Sequence, residues 1–148
     1  MQQENLEKIL QTGYKLIALE TNNPEQTIND FRPLGREGKA IYIWEKGIGL
    51  YRMEASHIKI PNTTSPEMVI NHIRQSKLFG IYLLVGFSTE LKDRNLIPVL
   101  DQIIQQKKGN KTIILVDHYF EYPHKIIGNL LITQEPDVKA EHELNQIA

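Results

Sequence analysis

The sequence predicts an α/β fold with three layers (α/β/α), in which helices cover both faces of a mostly parallel five-stranded sheet. Apolar runs of strand length alternate along the chain with segments of helical periodicity. Several runs, such as Ile81–Phe87 and Thr112–Val116, are apolar at nearly every position, as expected of strands buried on both faces. No repeat, low-complexity tract or linker divides the chain, so residues 1–148 are predicted to form a single domain.

The first predicted elements are a short helix over Leu6–Leu10, which Gly13 can end, and a first strand at Lys15–Thr21. A second helix follows, because Asn23 suits the cap and Pro24 suits the first helical position. The residues Pro33–Gly35 are expected to stop this helix.

The middle of the chain continues the alternation. Ala40–Trp44 is the second predicted strand, and Gly47–Met53 is expected to turn and continue extended, as a hairpin would. Ser65–Glu67 opens a third helix. The third strand is Ile81–Phe87, and a long amphipathic helix is predicted over Asp93–Lys107.

The last predicted strands are Thr112–Val116 and Leu130–Thr133. Pro136 is expected to end the fifth strand, and residues 136–148 are predicted to hold a polar terminal helix around Lys139–Ile147. The sheet is therefore predicted from five strands, with helices in the connections.

The loop after the first strand lacks the usual equipment for phosphate binding. It reads Asn22-Asn23-Pro24-Glu25-Gln26, with neither the glycines nor the lysine of a phosphate-cradling P-loop. Glu20 and Glu25 also place negative charge where a terminal phosphate would lie. The sequence thus predicts a well-capped helix start in place of a nucleotide loop.

Composition excludes several classes of function. The 148 residues are 41% hydrophobic and 24% charged, with a net charge of −1, so no overall field recruits nucleic acid or an anionic membrane. The absence of cysteine excludes disulfides, thiolate catalysis and cysteine zinc sites. No signal peptide or membrane-length apolar stretch is present, so we expect a cytoplasmic protein.

Candidate ligand-binding residues lie where the strands finish, because open α/β sheets bind ligands beyond the carboxyl ends of their strands. Asp117 can hold Mg²⁺ or activate water, or can simply form a turn, and Glu45-Lys46 allows a nuclease-like pair or a solvated turn. Phosphate can also rest on the helix N-terminus near Asn23. The histidines lack metal-ligand spacing, so we assign no metal site, no cofactor and no catalytic residue. The candidates are Glu20, Thr21, Asn23, Glu45, Lys46, Ser88, Asp117 and His118.

The order and spacing of four stretches resemble the N-terminal domain of a family of AAA+ ATPases, conserved as a reading frame in cyanobacteria and red-algal plastids and with bacterial relatives. These stretches are Tyr14–Thr21; Ile41–Trp44 with Gly49-Leu50; Phe87 with Leu91–Asp93 and the helix after it; and Thr112–Asp117 with Tyr122-Pro123. The resemblance implies a degenerate P-loop (AAA+/RecA-like) core, with the ATPase motifs in a separate downstream module. Where relatives often carry an aspartate before the phenylalanine and a histidine after it, this chain has Gly86 and Ser88.

The resemblance therefore implies a non-catalytic regulatory or protein-interaction domain, without an intact site for nucleotide hydrolysis. Its expected partner is another protein, an AAA+ module or a second copy of itself, and neither nucleic acid nor membrane. One alternative is a binder of nucleotides or small ligands at the strand ends. Another is a metal-dependent nuclease or phosphatase, which would require Glu20, Glu45 or Glu90 to converge on Asp117 and His118.

Overall fold

The computed structural model describes residues 3–77, 79–106 and 111–134. In these ranges the strands are β1 Leu16–Glu20, β2 Ile41–Glu45, β3 Gly49–Arg52, β4 Ala55–Lys59, β5 Gly80–Val85, β6 Lys111–Asp117 and β7 Leu130–Gln134. The helices are α1 Gln3–Gln11, α2 Pro24–Asp30, α3 Arg32–Arg36, α4 Pro66–Gln75, α5 Leu96–Gln105 and α6 His124–Ile127. A 3₁₀ helix spans Ser88–Lys92. The predicted terminal helix at 136–148 lies outside the described residues.

The strands form one sheet in the order β4-β3-β2-β5-β6-β1-β7. The five strands predicted from the sequence are β2, β5, β6, β1 and β7, and neighbours among them pair in parallel. The α/β class and the mostly parallel sheet are thus confirmed, and the arrangement is consistent with a P-loop-like fold. All five parallel strands finish at the same edge of the sheet, which is where the candidate residues lie.

The prediction of five strands is wrong, because the described sheet has seven. The two further strands, β3 and β4, extend the sheet antiparallel from β2. Gly47 and Gly49 adopt φ values of +82° and +102°, which turn the chain into β3. Strand β4 is polar and exposed along most of its length, so it lacks the apolar alternation that marks a strand in a sequence.

Two apolar clusters, one on each face of the sheet, explain why the parallel strands are apolar throughout. Alternate residues of β1 contribute to one cluster or the other. Leu16 and Ala18 face the cluster beneath α4, α5 and α6, whereas Ile17 and Leu19 face the cluster beneath α1 and α3. All four are fully buried. The three layers therefore follow from burying both faces of each central strand.

Three predicted boundaries differ from the structure for local reasons. The segment Pro33–Gly35 lies inside α3, since proline in a first helical turn needs no N–H donor. Strand β5 ends before Gly86, whose φ of +73° breaks the extended backbone. The long helix begins at Leu96 rather than Asp93, because the Asp93 carboxylate accepts a hydrogen bond from the Asn95 amide (2.9 Å) in the preceding turn.

Candidate functional site

The ends of β1, β6 and β7 bring three polar side chains together. Glu20 lies opposite Asp117 on one side and opposite Gln134 on the other. Gln134 Nε2 donates to Glu20 Oε1 at 2.7 Å. The structure thus places two of the predicted carboxylates, Glu20 and Asp117, on adjacent strands, and one of them is bound by an amide.

The connection from β1 to α2 is only three residues long, Thr21–Asn23, and its polar groups bond to one another. Asn23 Oδ1 accepts from the Gln26 amide at 3.1 Å, and the Thr27 amide donates to the Asn23 carbonyl at 3.1 Å. Since Pro24 has no N–H, these bonds occupy much of the helix N-terminus. The predicted capping role of Asn23 is confirmed.

Two threonines hold this connection from inside. Thr21 and Thr27 are both buried, and their hydroxyl oxygens lie 3.0 Å apart in a hydrogen bond. Thr21 Oγ1 also accepts from the Asn23 amide at 3.1 Å. The Thr21 amide donates to the Asp117 carbonyl at 3.0 Å, which joins the connection to the end of β6. The short turn is therefore fixed by its own side chains.

Asp117 is engaged by neighbouring protein groups. Its Oδ2 accepts from the Ser88 hydroxyl at 2.5 Å, and its Oδ1 accepts from the His118 amide at 2.8 Å. This arrangement unites three predicted site residues, Ser88, Asp117 and His118. It uses the Asp117 oxygens for a strand-to-turn link of the kind that carboxylates commonly form at strand exits.

Glu45 and Lys46 lie apart from this group, because β5 separates β2 from β6. Glu45 Oε2 accepts from the Tyr51 hydroxyl at 2.9 Å. Lys46 Nζ pairs with Glu90 Oε1 at 3.1 Å, with 68% of the lysine side chain exposed. These contacts of Glu45 and Glu90 are thus with Tyr51 and Lys46, and not with Asp117.

An open pocket of about 230 Å³ lies beyond the ends of β1 and β7. It is lined by Glu20, Thr21, Asn22, His118, Tyr119 and Gln134. Among the described large apolar side chains Tyr119 is the most exposed, at 66%. Beside it, burial and then the nearby Glu20 carboxylate raise the pKa of Tyr122. Within the described part of the chain the Tyr122 hydroxyl has no hydrogen-bond partner of normal geometry.

The described residues include no group of three or more histidine or acidic side chains able to hold a metal ion. Gly86, which precedes Phe87 just after the end of β5, has a left-handed backbone with φ +73°, and a Cβ there would meet nothing within 4 Å. None of the helices in the described ranges is long and apolar enough to cross a membrane.

A comparison with protein families decides the ancestry of this fold. The family model described as the N-terminal domain of SpoVK-like AAA ATPases matches residues 2–134. The chain belongs to this family. The AAA ATPase N-terminal domain predicted from the sequence is therefore confirmed. Searches of curated proteins and of solved structures found no match.

In this SpoVK-like domain the sequence reasoning missed Asn22, Tyr119, Tyr122 and Gln134 at the strand ends. Gln134 could have been found from its place at the end of the predicted fifth strand, once that strand is set beside the first. Tyr119 and Tyr122 follow the fourth predicted strand, but nothing local distinguishes an exposed tyrosine from one that packs inward. Their placement depends on how the chain turns after β6.

Proposed function

We propose that this domain is a non-catalytic regulatory or protein-interaction module of an AAA ATPase, without an intact nucleotide-hydrolysis site. The observation that carries the proposal is the three-residue connection between β1 and α2. A P-loop wraps phosphate with the free amides of a glycine-rich loop, and here the turn is short and the amides of Asn23, Gln26 and Thr27 bond within it.

Charge at the strand ends also supports the proposal. Glu20 and Asp117 end adjacent strands where phosphates sit in working nucleotide sites. Among the residues that the structure describes, no lysine or arginine lines the pocket beside them. A triphosphate would thus meet repulsion where P-loop proteins supply a cation.

The proposed partners are a protein, an AAA+ module or a second copy of the domain, met in the cytoplasm. We also propose that the domain is related to the reading frame conserved in cyanobacteria and red-algal plastids. A regulatory role requires a surface rather than a catalytic group, and the strand-end edge offers one, with Tyr119 exposed among acidic and amide side chains.

A second candidate function, binding of a small ligand at the strand ends, is favoured by the pocket beside Glu20 and Tyr119. Its volume of about 230 Å³ lies below the roughly 300–1,000 Å³ of typical small-molecule sites. A fragment of nucleotide size would therefore protrude into solvent. This candidate ranks below the interaction module.

Nucleotide titration tests the proposal directly. A nucleotide with a Kd of about 1 mM, present with Mg²⁺ at about 10 mM, stabilises a protein by about 1.4 kcal/mol. In a domain of this size that raises Tm by roughly 3–5 °C. We expect no shift with ATP, ADP or GTP, and no turnover above background. Turnover that disappears in Asp117→Ala would contradict the proposal, and a saturable Tm shift without turnover would favour the small-ligand candidate.

A further inference from the structure

The two ends of the parallel strands carry opposite charge. Lysines lie at or within three residues before the first residue of β1, β2, β5 and β6: Lys15, Lys39, Lys77 and Lys111. At the other end β1, β2 and β6 finish on carboxylates: Glu20, Glu45 and Asp117. We call these the basic end and the acidic end of the domain. Their separation gives the domain an electrostatic polarity along the strands.

The basic end contains a pocket with aromatic walls. Its volume is about 260 Å³, and its lining includes Tyr14, Phe79, Lys15 and Lys111. Tyr14 and Phe79 are 41% and 45% exposed, so part of each ring is open to solvent at the pocket. The pocket can therefore hold one further aromatic ring against two others.

The lysines of this pocket have no acidic partner within the described ranges. Lys111 is buried, and its Nζ donates to the Arg74 carbonyl and to Gln106 Oε1, both at 3.0 Å. Burial and then the Lys15 charge lower the pKa of Lys111, as expected when two cations lie close together. The pocket thus suits an aromatic group that brings negative charge with it.

The acidic end carries such a group. Tyr119 projects there with 66% of its surface exposed, and it shares the strand-end pocket with Glu20. Asp117 and Glu121 stand two residues to either side of it in the chain. An exposed tyrosine among carboxylates is the complement of a lysine-bearing aromatic pocket.

Both features lie over the same pair of strands. Tyr14 and Lys15 precede β1 and Lys111 begins the neighbouring β6, whereas Glu20 and Tyr119 stand at or just beyond the opposite ends of these strands. We propose that the domain self-associates head to tail, with Tyr119 at the acidic end of one copy entering the Tyr14–Phe79 pocket at the basic end of the next. The inference rests on the proposed function and specifies its partner as a second copy of this chain.

Such an interface is heterologous, because each copy contributes a different surface. Repetition gives an open chain of copies, or a ring if the rotation between copies closes. Since charges flank the contact, association weakens as salt rises from about 50 to 500 mM. The repetition, and not the salt dependence, distinguishes it from a two-fold symmetric dimer.

Sedimentation velocity on the 148-residue protein tests the proposal, together with four variants whose folding is checked by thermal unfolding. Tyr119→Ala should lower the association constant at least about tenfold, as loss of a buried aromatic anchor does. Lys15→Glu and Glu20→Lys should each abolish association, because each places like charges across the contact. Lys59→Glu is the matched control, since β4 lies at the far edge of the sheet from β1, and it should associate like the parent.

Mixing Lys15→Glu with Tyr119→Ala gives the sharpest outcome, because the two changed surfaces, a carboxylate at position 15 in one variant and an alanine at position 119 beside Glu20 in the other, do not attract each other. The first variant keeps an intact acidic end and the second keeps an intact basic end, so the mixture should form a 1:1 dimer that grows no further. A parent protein that stays monomeric at high concentration in low salt would overturn the inference. So would association that survives Tyr119→Ala, or a mixture that stays monomeric while both variants are folded. If Glu20→Lys does not fold, Tyr119→Ala and the mixture decide.

These outcomes are independent of the test of the proposed function. A monomeric domain without nucleotide turnover would refute self-association and leave the non-catalytic module standing. A domain that hydrolyses nucleotide yet still associates head to tail would refute the proposed function and leave this interface standing.

Discussion

Replacing Thr27 by valine is expected to destabilise the domain by removing a buried hydroxyl from the connection between β1 and α2. Thr27 is fully buried, and its Oγ1 lies 3.0 Å from Thr21 Oγ1 and 3.1 Å from the Asn23 carbonyl oxygen. Valine keeps the shape of threonine but cannot form either bond. The substitution therefore isolates the polar contribution of this side chain.

The magnitude follows from what the substitution leaves behind. Each of the two lost hydrogen bonds contributes about 0.5–1.5 kcal/mol, since Thr21 Oγ1 keeps the bond from the Asn23 amide and the Asn23 carbonyl keeps the bond from the Thr27 amide. Thr21 is also buried, so its oxygen would lose the Thr27 bond without free access to water. We expect a loss of about 2 kcal/mol, which lowers Tm by roughly 4–8 °C in a domain of this size.

Urea unfolding monitored by tryptophan fluorescence provides the measurement. The chain has one tryptophan, Trp44, which is fully buried and packs edge-on against Phe87 with ring centroids 5.5 Å apart. Its emission therefore reports loss of the core. Thr64→Val, at an exposed threonine, is the matched control and should change stability by less than about 0.5 kcal/mol.

The result bears on function as well as stability. If Thr27→Val left the free energy of unfolding unchanged but abolished binding of an anionic ligand, the connection would be a ligand site. The reasoning that treats it as a structural cap would then be refuted.

Three further predictions concern the backbone, a titrating group and the hairpin. Gly86→Ala should cost about 1–2 kcal/mol in the free energy of unfolding because its φ is +73°, whereas Gly128→Ala, at φ −70° and also free of close neighbours, should be near neutral or stabilising; equal losses would contradict this. Burial and then the hydrogen bond to Glu45 raise the pKa of Tyr51 to about 12 from 10.0. The folded state holds this proton more tightly, so the stabilisation is complete below pH 10 and is lost as pH rises toward 12. Unfolding measured at pH 9 and pH 11 should therefore show a smaller decline in Tyr51→Phe, and identical declines would exclude the coupling. Thr63→Val should cost about 1–3 kcal/mol in urea unfolding, since this buried hydroxyl bonds two backbone groups at 2.9 and 2.7 Å, and an unchanged midpoint would show that water replaces them.

The parallel strands could be predicted because their signal is local. A run such as Thr112–Val116 is apolar at successive positions, and burial on both faces requires that pattern. Strand β4 could not be predicted in this way, since Ser56, His57 and Lys59 are exposed and only the pairing with β3 makes the segment a strand.

The residues of the candidate site could likewise be predicted only where their signal is local. The capping role of Asn23 could be predicted, because the residues that follow it in the sequence indicate the start of a helix. The adjacency of Glu20, Asp117 and Gln134 depends on the order β6-β1-β7, which joins residues more than 90 positions apart. The charge separation between strand ends likewise needs the parallel arrangement before it becomes visible.

The turn fixed by Thr21 and Thr27 has a consequence for evolution. Acquiring a P-loop of roughly eight residues would require an insertion into a three-residue connection, together with the loss of a buried threonine pair that stabilises the present form. Single substitutions along that route remove stability before any phosphate contact is gained. Descendants of this domain are therefore expected to vary at their surfaces rather than to acquire a phosphate-binding loop at this turn.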